Sequence, residues 1–194
     1  MTGRSPIRSM SNVARTKVPL VVLGVTGSIA AYKACEIVRL FGKASIDIQA
    51  ILTREGREFI TPLTLQTLSR NKTLTDMFEL PETWDPVHIS LADRADAVLI
   101  APATAAVIGK LAAGICDDLL TCVVIATKAP VLIAPAMNDA MYRHPVVREN
   151  IAKLKKIGYR FIGPAAGRLA CGKDAVGCLA EPAEIVRVTK GTMK

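Results

Sequence analysis

The chain has 194 residues, 51% hydrophobic and only 4% aromatic, enough for one packed core but no platform for stacking single-stranded nucleic acid; no apolar run reaches the ~18 residues of a membrane span. The net charge of +8 sits at the ends: Arg4, Arg8, Arg15 and Lys17 in one, Arg187, Lys190 and Lys194 in the other, with no acid beside them. Residues 18–184 are thus almost neutral, which excludes a broad basic groove for a nucleic acid backbone.

Residues 1–17 read as a disordered basic extension. Their Ser- and Arg-rich, acid-free composition is also that of a mitochondrial presequence. Residues 18–194 read as one domain. Pro19 to Val25 is a short apolar run, predicted as a buried parallel strand. Gly24 to Ser28 makes a turn, and apolar spacing from Ile29 to Phe41 predicts a helix that Gly42 stops. Ile46 to Leu52 is a second strand, and Pro62 opens a helix through Leu68. Pro81 to Pro86 is a loop holding Trp84.

A short helix runs from His88 to about Ala95. Ala97 to Ala101 is a strand, and Thr104 to Ala113 a helix. Asp117 and Asp118 start a helix that ends at Ala126. Val131 to Ala134 is a strand, Pro145 to Ile157 an amphipathic helix stopped by Gly158, and Tyr159 to Ile162 the last strand. Ala165 to Glu181 reads as a loop, and a helix follows from Pro182. Alternating strands and helices predict an α/β doubly wound parallel sheet. Segments 24–28, 101–104 and 134–138 each follow a strand, so all three should meet on one rim.

Three of these segments carry chemistry. Gly24-Val-Thr-Gly-Ser28 lacks the GxGxxG spacing of a dinucleotide site, and Thr53-Arg54 stands where a ribose-gripping acid belongs. The turn suits a single phosphate, held by backbone N–H groups and the Ser28 hydroxyl, and equally a plain strand-to-helix junction. Thr104 is a helix cap by type. Asn138 can donate to a carboxylate and accept from an amide, or simply open a helix as an Asx turn. His88, at a helix start, tends to stay neutral and able to accept a proton. Cys171 lies in a glycine-flanked loop, as a thiol able to act as an acid. Cys35, Cys116 and Cys122 read as core residues of apolar helices. No CxxC pair occurs, so no metal site is expected, and a reducing, cytoplasmic setting follows.

The stretches GVTGSIAAYK (24–33), ITPLTLQTLS (60–69), HISLADRADAVLIAPATA (88–105), GKLAAGICDDLL (109–120), APAMNDAMY (134–142), LACG (169–172) and AEP (180–182) together resemble the flavin-containing cysteine decarboxylases, most closely their coenzyme A-synthesis branch. The resemblance covers roughly residues 19–185. It implies a flavodoxin-like fold, FMN as cofactor, and decarboxylation of 4'-phosphopantothenoylcysteine to 4'-phosphopantetheine. In that chemistry the flavin oxidises the thiol, CO₂ leaves, and the electrons return.

By motif, Gly27, Ser28 and Ile29 would hold the FMN phosphate side. Thr53, Arg54 and Glu55, with Ala103, Thr104, Ala105 and Ala106, would flank the flavin, and Ala136 would lie near its ring. His88 matches the catalytic base, Asn138 and Met141 the substrate-binding pair, and Cys171 the proton donor on a flap. The resemblance further implies homotrimers or higher multiples with FMN sites between subunits, and neither nucleic acid nor membrane as partner. The family flap usually reads ACG-Asp-x-Gly-x-Gly, and here Lys173 to Gly177 departs from it; Tyr142 stands where Trp is usual. Two neighbouring chemistries share the motifs: peptidyl-cysteine decarboxylases, which stop at the enethiol and lack the flap cysteine, and non-catalytic homologues that regulate a phosphatase and carry acidic tails. Cys171 and the short basic tail set this chain apart from both.

Overall fold

The computed structural model describes residues 18–78 and 86–193. The basic extension 1–17 and the loop around Trp84 therefore lie outside the described residues. Five parallel strands build the sheet: β1 (Leu20–Val25), β2 (Asp47–Leu52), β3 (Ala97–Ala103), β4 (Val131–Pro135) and β5 (Arg160–Phe161). Their order is β2-β1-β3-β4-β5, the flavodoxin-like arrangement.

Side chains along β1 alternate between two cores, as the strand period requires. Val21, Leu23 and Val25 join one cluster with Ile37, Val38 and Phe41 of α1 (Ala34–Lys43), Leu65 of α2 (Pro62–Ser69) and Ile185 of α8 (Pro182–Lys190). Val22 joins the other, with α3 (Val87–Arg94), α4 (Ala105–Ala113), α5 (Leu119–Ala126) and α7 (Pro145–Lys156). Each large side chain so buried contributes about 1.5–3 kcal/mol, so both faces of every central strand have to be apolar. Gly24 is the exception on β1: a Cβ there would run into the Leu120 side chain of α5. Local signals place the helix starts. Thr61, Thr104 and Asp118 each accept a backbone N–H of the first turn, and Asp118 forms a reciprocal box with Thr121.

Four expectations change. The helix drawn from Ile29 to Phe41 is a 3-10 turn, Ile29–Lys33, followed by α1. Gly42 does not stop α1, which runs to Lys43; it is exposed, with open space where a Cβ would sit, and the reversal falls on Ser45 at φ 56°. Residues 165–181 are not a loop: β6 (Ala165–Arg168) and β7 (Asp174–Cys178) pair as an antiparallel ribbon apart from the main sheet. Small residues such as Ala165, Ala166 and Gly167 carry little strand propensity, so pairing, not propensity, makes these strands. Cys116 is exposed in the connection before α5, outside any helix. A five-residue helix, α6 (Asp139–Arg143), also opens at Asn138. No helix among the described residues is long and apolar enough to cross a membrane.

Candidate functional site

The strand order reverses between β1 and β3, and a crevice opens beyond the carboxyl ends of the strands at such a point. Thr26, buried there, fastens the two turns together. Its hydroxyl donates to the Pro102 carbonyl at 2.7 Å and accepts from the Thr104 N–H at 3.1 Å. Ser28 does the same toward β4. Its hydroxyl donates to the Ala136 carbonyl at 3.3 Å and accepts from the Ala30 N–H at 3.3 Å. Ala136 N–H donates in turn to the Ala103 carbonyl at 3.0 Å. Gly27 brings in the turn after β2, since a Cβ on it would lie 2.5 Å from that of Glu55.

These turns floor a cavity of about 570 Å³, inside the roughly 300–1,000 Å³ range of small-molecule sites. Gly27, Ser28, Ile29, Thr104, Ala105, Ala136, Asn138, Met141 and Cys171, nine of the residues picked out from the sequence, line it. A hollow of about 550 Å³ lies at the opposite end of the sheet, around Arg39, Ser45 and Asp47. It has none of the strand-end turns, so the carboxyl-end cavity is the candidate site.

Asn138 serves two ends at once. Its Oδ1 accepts the Ala140 N–H at 2.9 Å and so caps α6. Its Nδ2 donates to the Cys171 sulfur at 3.8 Å. The Asx turn is therefore real, and it is also what aims the amide group at the thiol. Cys171 sits at the tip of the β6–β7 ribbon, where Leu169 and Lys173 close the turn (Leu169 N–H to the Lys173 carbonyl, 2.8 Å). Gly172, at φ 85°, sits in a conformation that a residue with a Cβ rarely adopts.

The ribbon is pinned to the sheet by Met137, whose N–H donates to the Gly177 carbonyl at 3.0 Å. A Cβ at Gly177 would collide with the Met137 carbonyl oxygen. Gly177→Ala is expected to lift the ribbon and part Cys171 from Asn138, at a stability cost of about 1–3 kcal/mol, the usual range for forcing extra atoms into a packed contact. A thermal melt checks this: a variant that melts like the parent would remove Gly177 from ribbon seating.

Six of the residues picked out from the sequence lie off this cavity: His88, Thr53, Arg54, Glu55, Ala103 and Ala106. Thr53 is buried and its hydroxyl accepts the Gly56 N–H, a turn-holding role. Arg54 pairs with Glu55 at 2.9 Å in the open. Hydrogen bonds from its own backbone N–H and from Arg54 hold the Glu55 carboxyl below its ordinary value. Nearby, Lys110 binds Asp117 at 2.8 Å and Asp118 at 3.3 Å, and the hydrogen bond to Asp117 raises its pKa. His88 is half-buried in the first turn of α3, which packs on α5 across the second core. Conversely, Tyr32, Lys33, Arg168, Ala170 and Cys178 line the cavity without standing out in the sequence. Tyr32 and Lys33 end the GSIAAYK stretch and lie within reach of a sequence argument. The ribbon residues do not, because nothing in the composition of that segment marks a strand.

The Flavoprotein family model matches residues 8–194. The Coenzyme A biosynthesis bifunctional protein CoaBC of Bacillus subtilis (strain 168) is 48% identical over 170 residues, 88% of this chain and 42% of that protein. The chain thus spans less than half the length of that bifunctional relative. A probable phosphopantothenoylcysteine decarboxylase of Streptococcus mutans is 40% identical over 169 residues, 86% of this chain and 94% of its own length. Among solved structures, a PPC decarboxylase carrying a cysteine-to-serine mutation, complexed with pantothenoylaminoethenethiol, superposes with a TM-score of 0.80 at 31% identity, over 90% of this chain and 97% of that one.

Proposed function

This chain belongs to the Flavoprotein family, and from that premise we propose that it is an FMN-dependent carboxy-lyase converting 4'-phosphopantothenoylcysteine to 4'-phosphopantetheine, in the cytoplasmic synthesis of coenzyme A. One observation carries the reading. Asn138 and Cys171, from segments 33 positions apart, meet at 3.8 Å on the edge of a cavity floored by three strand-end turns. A relative matched over 94% of its length carries the same activity in its name.

The cavity fits FMN by its donor set. It has the Ser28 and Thr104 hydroxyls, the Lys33 ammonium, an apolar lining from Ile29, Ala105, Ala136 and Leu179 and, among the described residues, no carboxylate, which suits one phosphate and a flat apolar ring system. Thr53-Arg54 in place of a ribose-gripping acid disfavours a dinucleotide. Gly27, Ser28 and Ile29 would hold the phosphate side, Thr104 and Ala105 would flank the flavin, and Ala136 would lie near its ring. Thr53, Arg54, Glu55, Ala103 and Ala106 shape the turns around it from outside the cavity. When bound, FMN supplies the electron sink that a β-carboxylate on an unactivated carbon lacks.

The chain's own groups do the rest. Asn138 Nδ2 donates to the substrate carboxylate, with Met141 packed beside it. The substrate displaces that donor from the Cys171 sulfur. Cys171 then gives its proton to the carbon that has lost CO₂. His88 accepts a proton from the substrate. Its position outside the cavity of its own chain supports homotrimers, or multiples of them, in which one chain's His88 serves its neighbour. The exposed Ile29, Tyr32, Phe59 and Leu63 give such an assembly an apolar surface to cover.

Purified protein is expected to be yellow and to release one CO₂ per phosphopantothenoylcysteine, read as product mass by mass spectrometry. A preparation that stays colourless in added FMN, or leaves the substrate mass unchanged, would falsify the reading.

A further inference from the structure

The reaction above brings three anionic groups to one cavity: the cofactor phosphate, the substrate carboxylate and the substrate's terminal phosphate. The first has the turn of Gly27, Ser28 and Ile29, and the second has Asn138. Two cations line the cavity, and among the described residues no Asp or Glu does. Lys33 is already engaged, with its ammonium 3.7 Å from Glu181. Arg168 is not. Among the described residues its guanidinium has no ion pair, although Asp174 stands opposite it in the ribbon register. Arg168 is an exposed residue at the edge of this acid-free cavity, and a guanidinium with no ion pair is free to meet an anion there. Its planar fork of donors matches a phosphate better than an ammonium does.

Resting on the decarboxylase reading, we propose that Arg168 binds the terminal phosphate of the substrate and thereby selects phosphorylated over unphosphorylated pantothenoylcysteine. Arg168 ends β6, three positions before Cys171, and both sit on the ribbon that Met137 pins at Gly177. Gripping the phosphate from this strand also holds the ribbon down, so recognition of the far end of the substrate seats the thiol at the near end. Binding energy from a non-reacting group is then used to position a reacting one.

The test compares 4'-phosphopantothenoylcysteine with pantothenoylcysteine on the holoenzyme, for the parent, Arg168→Gln and Arg168→Lys. With Arg168→Gln, kcat/KM for the phosphorylated substrate is expected to fall about 10- to 100-fold, through a raised KM and a lowered kcat together, and that for pantothenoylcysteine by no more than about 2-fold, as the loss of charge-assisted hydrogen bonds to one phosphate implies. Arg168→Lys should recover part of the loss. Calorimetry with 4'-phosphopantetheine and pantetheine reads the same discrimination without turnover.

An equal loss on both substrates would show that Arg168 serves the carboxylate or the ribbon's shape, and would overturn the inference. So would an unchanged preference in Arg168→Gln, or a parent enzyme that does not prefer the phosphorylated compound. A parent that converts neither substrate would instead overturn the decarboxylase reading itself.

Discussion

In aerated buffer, where dioxygen can take up the two electrons that the product no longer receives, Cys171→Ser is expected to keep releasing CO₂ while its output of 4'-phosphopantetheine falls by about 10²–10⁴-fold, the range that a positioned proton donor contributes. The accumulating product should be the enethiol, lighter than the normal product by two hydrogens. Cys171 is exposed at the tip of the β6–β7 ribbon, and its sulfur lies 3.8 Å from Asn138 Nδ2, the donor assigned to the carboxylate. When the carboxylate takes that donor, the thiol is left beside the carbon that must be protonated. Serine fits the same space, but a hydroxyl is a far weaker acid than a thiol. Proton donation fails while the steps before it continue. Mass spectrometry of the product mixture decides: normal output of the saturated product from Cys171→Ser would remove the thiol from the final step.

His88→Asn should lower CO₂ release itself by about 10²–10⁴-fold, again the contribution of a positioned base, while the protein stays yellow. Retained colour is expected because His88 lies outside the cavity of its own chain. The same fact yields a sharper test. If His88 serves a neighbouring subunit, His88→Asn and Cys171→Ser chains mixed under reversible dissociation should regain part of the full reaction. Some sites in a mixed assembly then combine an intact His88 from one chain with an intact Cys171 from the other. Mixtures no more active than their parts would place the whole site within one chain, and full activity of His88→Asn alone would end its catalytic assignment.

Much of the fold is legible in the sequence because it rests on local signals that also agree with the global pattern. Apolar runs such as Pro19 to Val25 and Ala97 to Ala101 can only be buried on both faces. Thr104 and Asp118 announce helix starts by their side-chain chemistry, and both cap as expected. Three strand-end segments are expected on one rim, and Ser28, Thr104 and Asn138 do line one cavity. The errors share a cause. Gly42 looks like a stop, but an exposed glycine with free space around it costs a helix only about 1 kcal/mol, too little to end one that packing favours. Cys116, which composition alone assigns to an apolar helix, is exposed before α5. The ribbon is invisible because its strands gain their stability from each other and from Met137, none of which leaves a periodic trace.

The sequence by itself determined the alternation of strands and helices, the turn chemistry at Ser28, Thr104 and Asn138, and a cysteine in a glycine-flanked segment. Each depends on residues within a few positions of one another, where propensity, capping and hydrophobic period act. Only the tertiary structure decided that the order β2-β1-β3-β4-β5 opens the crevice beside β1, and that Asn138 turns its amide toward Cys171. It also decided that Arg168 faces the cavity with no ionic partner among the described residues, and that His88 stays outside. These depend on side chains brought together across tens of residues, by burial that is non-directional and by close packing that is not. No local pattern encodes that outcome.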